Sequence, residues 1–414
     1  MASLACMVAV ACLTATPHPP AHRIVVASDG RVSTISAALR QARAGDTVVV
    51  TAGVYREPRL EIRVPLVILG EGLAVLDAGG AHEALTVRAD DVTIRGLTIR
   101  NVSPSFVEDR AGIRLDGVRG CRVEGNHLID TFFGIYAARA SDCTIAGNLI
   151  EGRARRQTEA GNAIHLFSST GFTVTGNRVR GHRDGIYLEF SPHTTIADNE
   201  SRENLRYGLH FMFSDTCEYR HNVFRRNTSG VAVMYSHRVV MTGNRFEDSW
   251  GAASYGLLLK EIKDGRIEGN WIAGNTVGIF AESADRMVVT DNQFVRNGWA
   301  LRLMADATDG EFRHNRFAGN TFDVATNSQS SSPNTFEANY WDGYQGYDLN
   351  RDGIGDVPYR PVRLASVLVA SNEPTLILLR SFFLDLLEVA ERVMPVLTPD
   401  ALVDRRPLMR WGSS

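Results

Sequence analysis

Residues 207–244, YGLHFMFSDTCEYRHNVFRRNTSGVAVMYSHRVVMTGN, contain the same short pattern twice. Gly208 and Gly230 each open an alternating apolar run, Leu209/Phe211 and Val231/Val233, and Asn222 and Asn244 each follow a brief turn. Both pairs are 22 residues apart. Alternation means one face of a strand is apolar. A repeat of that length with strand-like segments means a solenoid, in which each unit buries its apolar face against its neighbours.

The pattern extends in both directions. The marker asparagines are Asn126, Asn148, Asn177, Asn199, Asn222, Asn244, Asn270, Asn292, Asn315 and Asn339, with gaps of 22, 29, 22, 23, 22, 26, 22, 23 and 24. The small residues that open the strands, from Gly112 and Gly134 to Gly278 and Ala300, carry the same two insertions. Leucine-rich repeats have a similar period, but their leucine and asparagine spacing is missing. The expected fold is all-β: a right-handed parallel β-helix of about ten coils of ~22 residues, stacked at about 4.8 Å, over about residues 45–345. The asparagines should stack at a turn, where they tolerate left-handed backbone and bond to the rungs above and below. The insertions at 151–160 and 249–255 should be loops on one side.

The ends differ from the middle. Residues 34–43, TISAALRQAR, form an amphipathic helix with Thr34 or Ser33 as N-cap, suited to covering the open end of the solenoid. The expected organisation is a signal peptide over 1–22, a β-helix domain with its N-terminal cap over 23–361, and a linker with a C-terminal helical docking tail over 362–414. The signal reading rests on the apolar run Leu4–Leu13, followed by small residues and prolines. In the tail, Leu379, Phe382, Phe383, Leu386 and Leu387 belong to a wide apolar helix face, and the nearby charges Asp385, Glu388, Glu391 and Arg392 argue against a membrane span. That face either packs along the solenoid or docks onto a partner. If it docks, removing everything after Ser371 leaves the solenoid folded.

Composition narrows the function. The 414 residues carry a net charge of −3 and are 44% hydrophobic, which gives no electrostatic case for nucleic acid. Of the five cysteines, Cys121, Cys143 and Cys217 fall on inward positions and suit buried thiols. The outward stripe holds His210, Met212 and Met234, with Met234 above Met212. Thioether with imidazole is a ligand set for Cu(I), and the same residues with Phe167, Tyr187 and Phe280 could instead form an apolar patch for a protein partner. Asp348, Asn350, Asp352, Gly353 and Asp356 match the opening of a calcium loop, D-x-N-x-D-G-x-x-D, but Tyr359 stands where the bidentate glutamate belongs. Outward carboxylates such as Asp116, Glu189 and Glu282 do not lie on neighbouring coils, so no paired acid–base set supports an enzyme.

Several segments together resemble the NosD family: YGLHFMFSD (207–215), GVAVMYS (230–236), NYWDGYQGYDLNRDGIGDVPYRP (339–361) and the ending DRRPLMRW (404–411). The resemblance implies a periplasmic accessory protein, not an enzyme, that matures the copper-sulfur centre of nitrous oxide reductase. It implies partners: an ABC transporter permease and ATPase in the inner membrane, a copper chaperone and the client reductase. It also implies association with the inner membrane through a protein partner, and it favours copper at His210, Met212 and Met234. The alternative is a polysaccharide-binding or polysaccharide-modifying β-helix.

Overall fold

The computed structural model describes residues 22–371 apart from 58, 81, 106 and 328–332, together with 386–387, 389–391, 394 and 401–412. All but one of the 22 residues assigned to a signal peptide, and Leu379, Phe382 and Phe383 of the tail, lie outside this set.

Three parallel sheets run the length of the chain, with 14, 13 and 12 strands, and every strand pairs with its counterpart one coil away. The protein is a parallel β-solenoid. The inward residues of the alternating strands fill one continuous core in which Ile113, Ile135, Ile186, Leu209 and Val231 have no exposure. Ile186 and Leu209 thus fix the register read from the sequence. Burying each such side chain contributes about 1.5–3 kcal/mol.

The solenoid has about fourteen turns, not ten. The four additional strands of the first sheet, Arg23–Val26, Thr47–Val50, Val67–Gly70 and Thr93–Arg95, precede Asn126 and end without an asparagine. Counting asparagines therefore missed them. Leu97 stands where a rung would be, and its N–H donates to Asn126 Oδ1 at 3.0 Å.

The asparagines form a ladder with a direction. The backbone N–H and Nδ2 of each rung donate to Oδ1 of the next, as in Asn222 to Asn244 at 3.0 Å for both bonds. Nδ2 also reaches back to a carbonyl of the preceding coil, from Asn222 to Ile196 O at 2.9 Å. The left-handed backbone belongs to the residue before each rung, not to the asparagine: Gly125, Asp198, His221 and Ala338 have φ of 59°, 57°, 54° and 55°. A second ladder uses Asn204, Asn227, Asn275, Asn297 and Asn320. A third, of Ser169, Ser191, Ser214 and Ser236, has no counterpart in the sequence reading.

The two insertions, after Glu151 and after Glu247, both connect the 13-stranded to the 12-stranded sheet, so both loops leave from the same corner. At the N-terminal end the helix Ile35–Gln41 is capped by Thr34 and buries Ile35 and Ala38. Glu57 accepts from the N–H groups of Ile35 and Ser36 at 2.6 and 2.8 Å, which satisfies donors that a helix start leaves open.

At the C-terminal end, within the linker and tail expected over 362–414, the described residues pack on the solenoid. Leu364–Ser371 is helical, and Ala365 and Val369 pack on Phe322 of the last strand in the 12-stranded sheet, with Leu387 against them. Residues 401–411 then return to the last coil. Asp404, with no exposure, accepts from Asn339 N, Asn339 Nδ2 and Trp341 Nε1 at 3.1, 3.1 and 3.0 Å. It occupies the next rung of the ladder. This end of the tail belongs to the cap of the solenoid.

Candidate metal centre

The stripe singled out by its methionines lies on the 12-stranded sheet. Alternation turns the second and fourth residues after each opening glycine outward. The pairing aligns Tyr187 with His210 and Ala232, and Glu189 with Met212, Met234 and Lys260. Met234 therefore sits one coil, about 4.8 Å, from Met212, as the sequence implied. Lys260 pairs with Glu282 at 3.2 Å and closes the row on that side.

His210 is not on an open face. It points outward but is 5% exposed, because rings from adjacent coils cover it. Tyr136, His165, Tyr187 and His210 follow one another with centroids 4.8, 4.7 and 4.7 Å apart, edge-on, tilted and stacked in turn, and Tyr207 flanks His210 at 4.9 Å. Strand alternation shows which way a side chain points, but not what the coils above and below lay over it.

Two residues missed in the sequence orient this imidazole. Asp184 has no exposure and is clamped by Arg206, whose Nε donates to Oδ1 at 2.8 Å. His210 Nδ1 lies 3.8 Å from Asp184 Oδ2 and 3.4 Å from Arg206 Nη2. Burial opposes ionisation of Asp184, but hydrogen bonds from Arg206 and His210, with their charges, outweigh it and hold the carboxyl down at about 2. Arg206 can only donate, so its 3.4 Å contact makes Nδ1 an acceptor; a metal on Nε2 requires the ring to shift its proton to Nδ1 and donate it to the Asp184 carboxylate, the arrangement that fixes a metal-binding imidazole. His210 Nε2 is buried and has no hydrogen-bond partner. Asp184 and Arg206 lie at the strand entry, so the Nδ1 edge of the ring faces that way.

Met212 and Met234 are half-buried. Tyr187 Oη donates to Met212 Sδ at 3.5 Å, and burial followed by the Glu189 charge pushes the phenol pKa up. On the far side, Phe190, Phe213 and Tyr235 stack with centroids 5.0 and 4.9 Å apart. Phe190 and Phe213 are 48% and 42% exposed. All three have left-handed φ of 50–52°, where a bulky residue costs about 1–2 kcal/mol. The same turn position is left-handed in other coils, at Arg139, Ser168, Glu261 and Ser283, so the conformation belongs to the turn, and what sets this row apart is its exposed rings.

The other candidates are placed differently. Asp348 accepts from the N–H of Asp352 and Gly353 at 3.2 and 2.9 Å, Asn350 from Asp352 at 3.2 Å, Asp352 from Ile354 at 2.9 Å, and Asp356 from Leu349 at 2.7 Å. These bonds account for the pattern of aspartate and asparagine without calcium. Met409 N, bonded to Gly353 O at 2.9 Å, ties that loop to the returning tail. Of the docking residues, Leu386 is 55% exposed and Leu387 packs inward. Cys121, Cys143 and Cys217 are buried and unbridged. Among the described residues no three His, Cys, Asp or Glu side chains converge on a point, so the candidate centre depends on sulfur.

The chain is similar to proteins already described. Residues 149–346 match the family model described as periplasmic copper-binding protein (NosD). A Stutzerimonas stutzeri protein named "Probable ABC transporter binding protein NosD" is 30% identical over 87% of this chain and 86% of its own. A Pseudomonas aeruginosa protein of the same name is 31% identical over 84% and 85%. Among solved structures, the Dettilon tailspike protein has a TM-score of 0.55 at 15% identity, covering 74% of this chain and 69% of its own. A Yersinia enterocolitica family 28 exopolygalacturonase has 0.53 at 12%, covering 74% and 77%. At such identities these two show the solenoid fold alone.

Proposed function

The chain belongs to the NosD family, and from that premise we propose that it is a non-enzymatic periplasmic copper-handling protein that works with an ABC transporter. Its Cu(I) contact is the group of Met212, Met234 and His210. The observation that carries this is the side-by-side pairing of the two methionines, with His210 two residues before Met212 on the same strand and its Nε2 without a partner. Flexible thioethers can close on one soft ion, and few ligands leave positions open for handing it on. The copper arrives from a chaperone and leaves toward the copper-sulfur centre of nitrous oxide reductase. The apolar segment that includes Leu379, Phe382, Phe383 and Leu386 docks on the permease and holds the protein at the inner membrane. Among the described residues no helix is long and apolar enough to cross a membrane.

The test is the double variant Met212→Leu/Met234→Leu, which keeps size and apolarity. Anaerobic competition with a chromophoric Cu(I) chelator should show affinity falling at least about tenfold, the low end of what loss of even a supporting residue costs a metal site. Copper in the client reductase should fall in parallel, with co-purification of the transporter preserved. Unchanged Cu(I) affinity would leave the stripe as an apolar docking patch.

A further inference from the structure

A second imidazole on the same face is built like His210. His165 lies two coils earlier, on the strand Ile164–Phe167, and is 7% exposed. Its Nδ1 edge also faces the strand entry, 3.4 Å from Asn162 Nδ2. Its Nε2 also has no hydrogen-bond partner, and it lies 4.0 Å from Glu189 Oε2. The stripe repeats this diagonal reach: Tyr187 extends to Met212 one coil on, as His165 extends to Glu189. One geometry thus delivers a nitrogen to a carboxylate at one level and a phenol to a thioether at the next.

We propose that His165 Nε2 and the Glu189 carboxylate form a second metal station beside the sulfur pair, a harder one that takes Cu(II). The proposal builds on the reading of this face as a copper contact but uses different ligands. Imidazole with carboxylate suits a divalent ion, and Cu²⁺ stands at the top of the affinity order, whereas thioether selects Cu(I). Leaving a ring nitrogen buried without a partner is costly, and native structures keep few such groups without a reason. Asn162 Oδ1 is buried and has no partner either. Turning that amide end for end lets Oδ1 accept from Nδ1–H, which frees the Nε2 lone pair for a metal. The Glu189 side chain is 28% exposed against 9% for His165, so an ion would enter from the carboxylate side, with water completing its shell.

The full chain, freed of metal and titrated with Cu(II), provides the test. His165→Phe keeps a ring between Tyr136 and Tyr187, and Glu189→Gln keeps the shape of the carboxylate. Electron paramagnetic resonance should show one nitrogen-coupled Cu(II) signal fewer in His165→Phe. Competition with glycine should show that site weakened at least about tenfold in Glu189→Gln. Met212→Leu/Met234→Leu should keep the signal. Wild-type Cu(II) spectra and affinity in both His165→Phe and Glu189→Gln would overturn the proposal, as would loss of Cu(II) together with Cu(I) in the methionine variant. If the methionine variant keeps Cu(I) while His165→Phe loses Cu(II), the sulfur reading fails and this station stands. Should His165→Phe fold poorly by circular dichroism, Glu189→Gln decides alone.

Discussion

Asp404→Ala is expected to lower the unfolding free energy of the C-terminal coils by about 3–5 kcal/mol, because each buried donor left without an acceptor costs about 1–3 kcal/mol. Three buried donors, Asn339 N, Asn339 Nδ2 and Trp341 Nε1, would lose their acceptor, and none has a route to water at that depth. Rungs within the ladder must both donate and accept. The last rung has only donors open, because every bond in the ladder points the same way, so the terminating residue needs to accept and nothing more. A carboxylate does that better than an amide. Asp404→Asn keeps an acceptor for the three donors but turns its NH₂ toward Arg406 N, which now donates to Asp404 Oδ1 at 3.0 Å, so a smaller loss of about 1–2 kcal/mol is expected. Denaturant unfolding followed by Trp341 fluorescence would report both, and an unchanged midpoint in Asp404→Ala would refute the terminating role. Deleting residues 372–414 removes the same carboxylate and should destabilise at least as much.

In the middle of the ladder the preference reverses. Asn222→Asp is expected to cost as much as Asn222→Ala, about 3–5 kcal/mol each. Asn222 Nδ2 donates to Ile196 O, Arg220 O and Asn244 Oδ1, while Oδ1 accepts from Asn199 N and Asn199 Nδ2. Alanine leaves the two Asn199 donors and the Ile196 carbonyl unpaired and opens a cavity. Aspartate keeps the accepting side but faces those three oxygens with a buried negative charge. Circular dichroism melts of the two variants, compared with Asp404→Asn, test the polarity directly. If aspartate at 222 proves as mild as asparagine at 404, the ladder has no preferred direction.

The parts of this fold that were legible in the sequence are those that repeat. Gly208 and Gly230 with Asn222 and Asn244 gave the period, the inward face and the pairing of Met212 with Met234. The coils before Asn126 were not legible, because residues such as Leu97 take the rung position without a side chain that marks it. Asp404 was missed for a different reason: it is an aspartate completing an asparagine series from 65 positions away. The candidate site was half visible. Period-2 alternation aimed His210 outward, but of the rings that bury it Tyr187 lies on the neighbouring coil and Tyr207 three residues earlier on the same strand. Asp184 and Arg206 carry no motif, and their partnership with His210 exists only once two coils are stacked.

The distance between Asn339 and the carboxylate that ends its series also sets an order of events. A ribosome adds about 5–20 residues per second, so the 65 positions between them take roughly 3 to 13 s to make. A chain that began to coil during synthesis would hold its last coil unfinished through that interval, with Asn339 and Trp341 donors facing outward, competent to accept another strand. Keeping the chain extended until all of it has been made and exported removes that hazard, because the final turn and its terminator then meet in the same folding event.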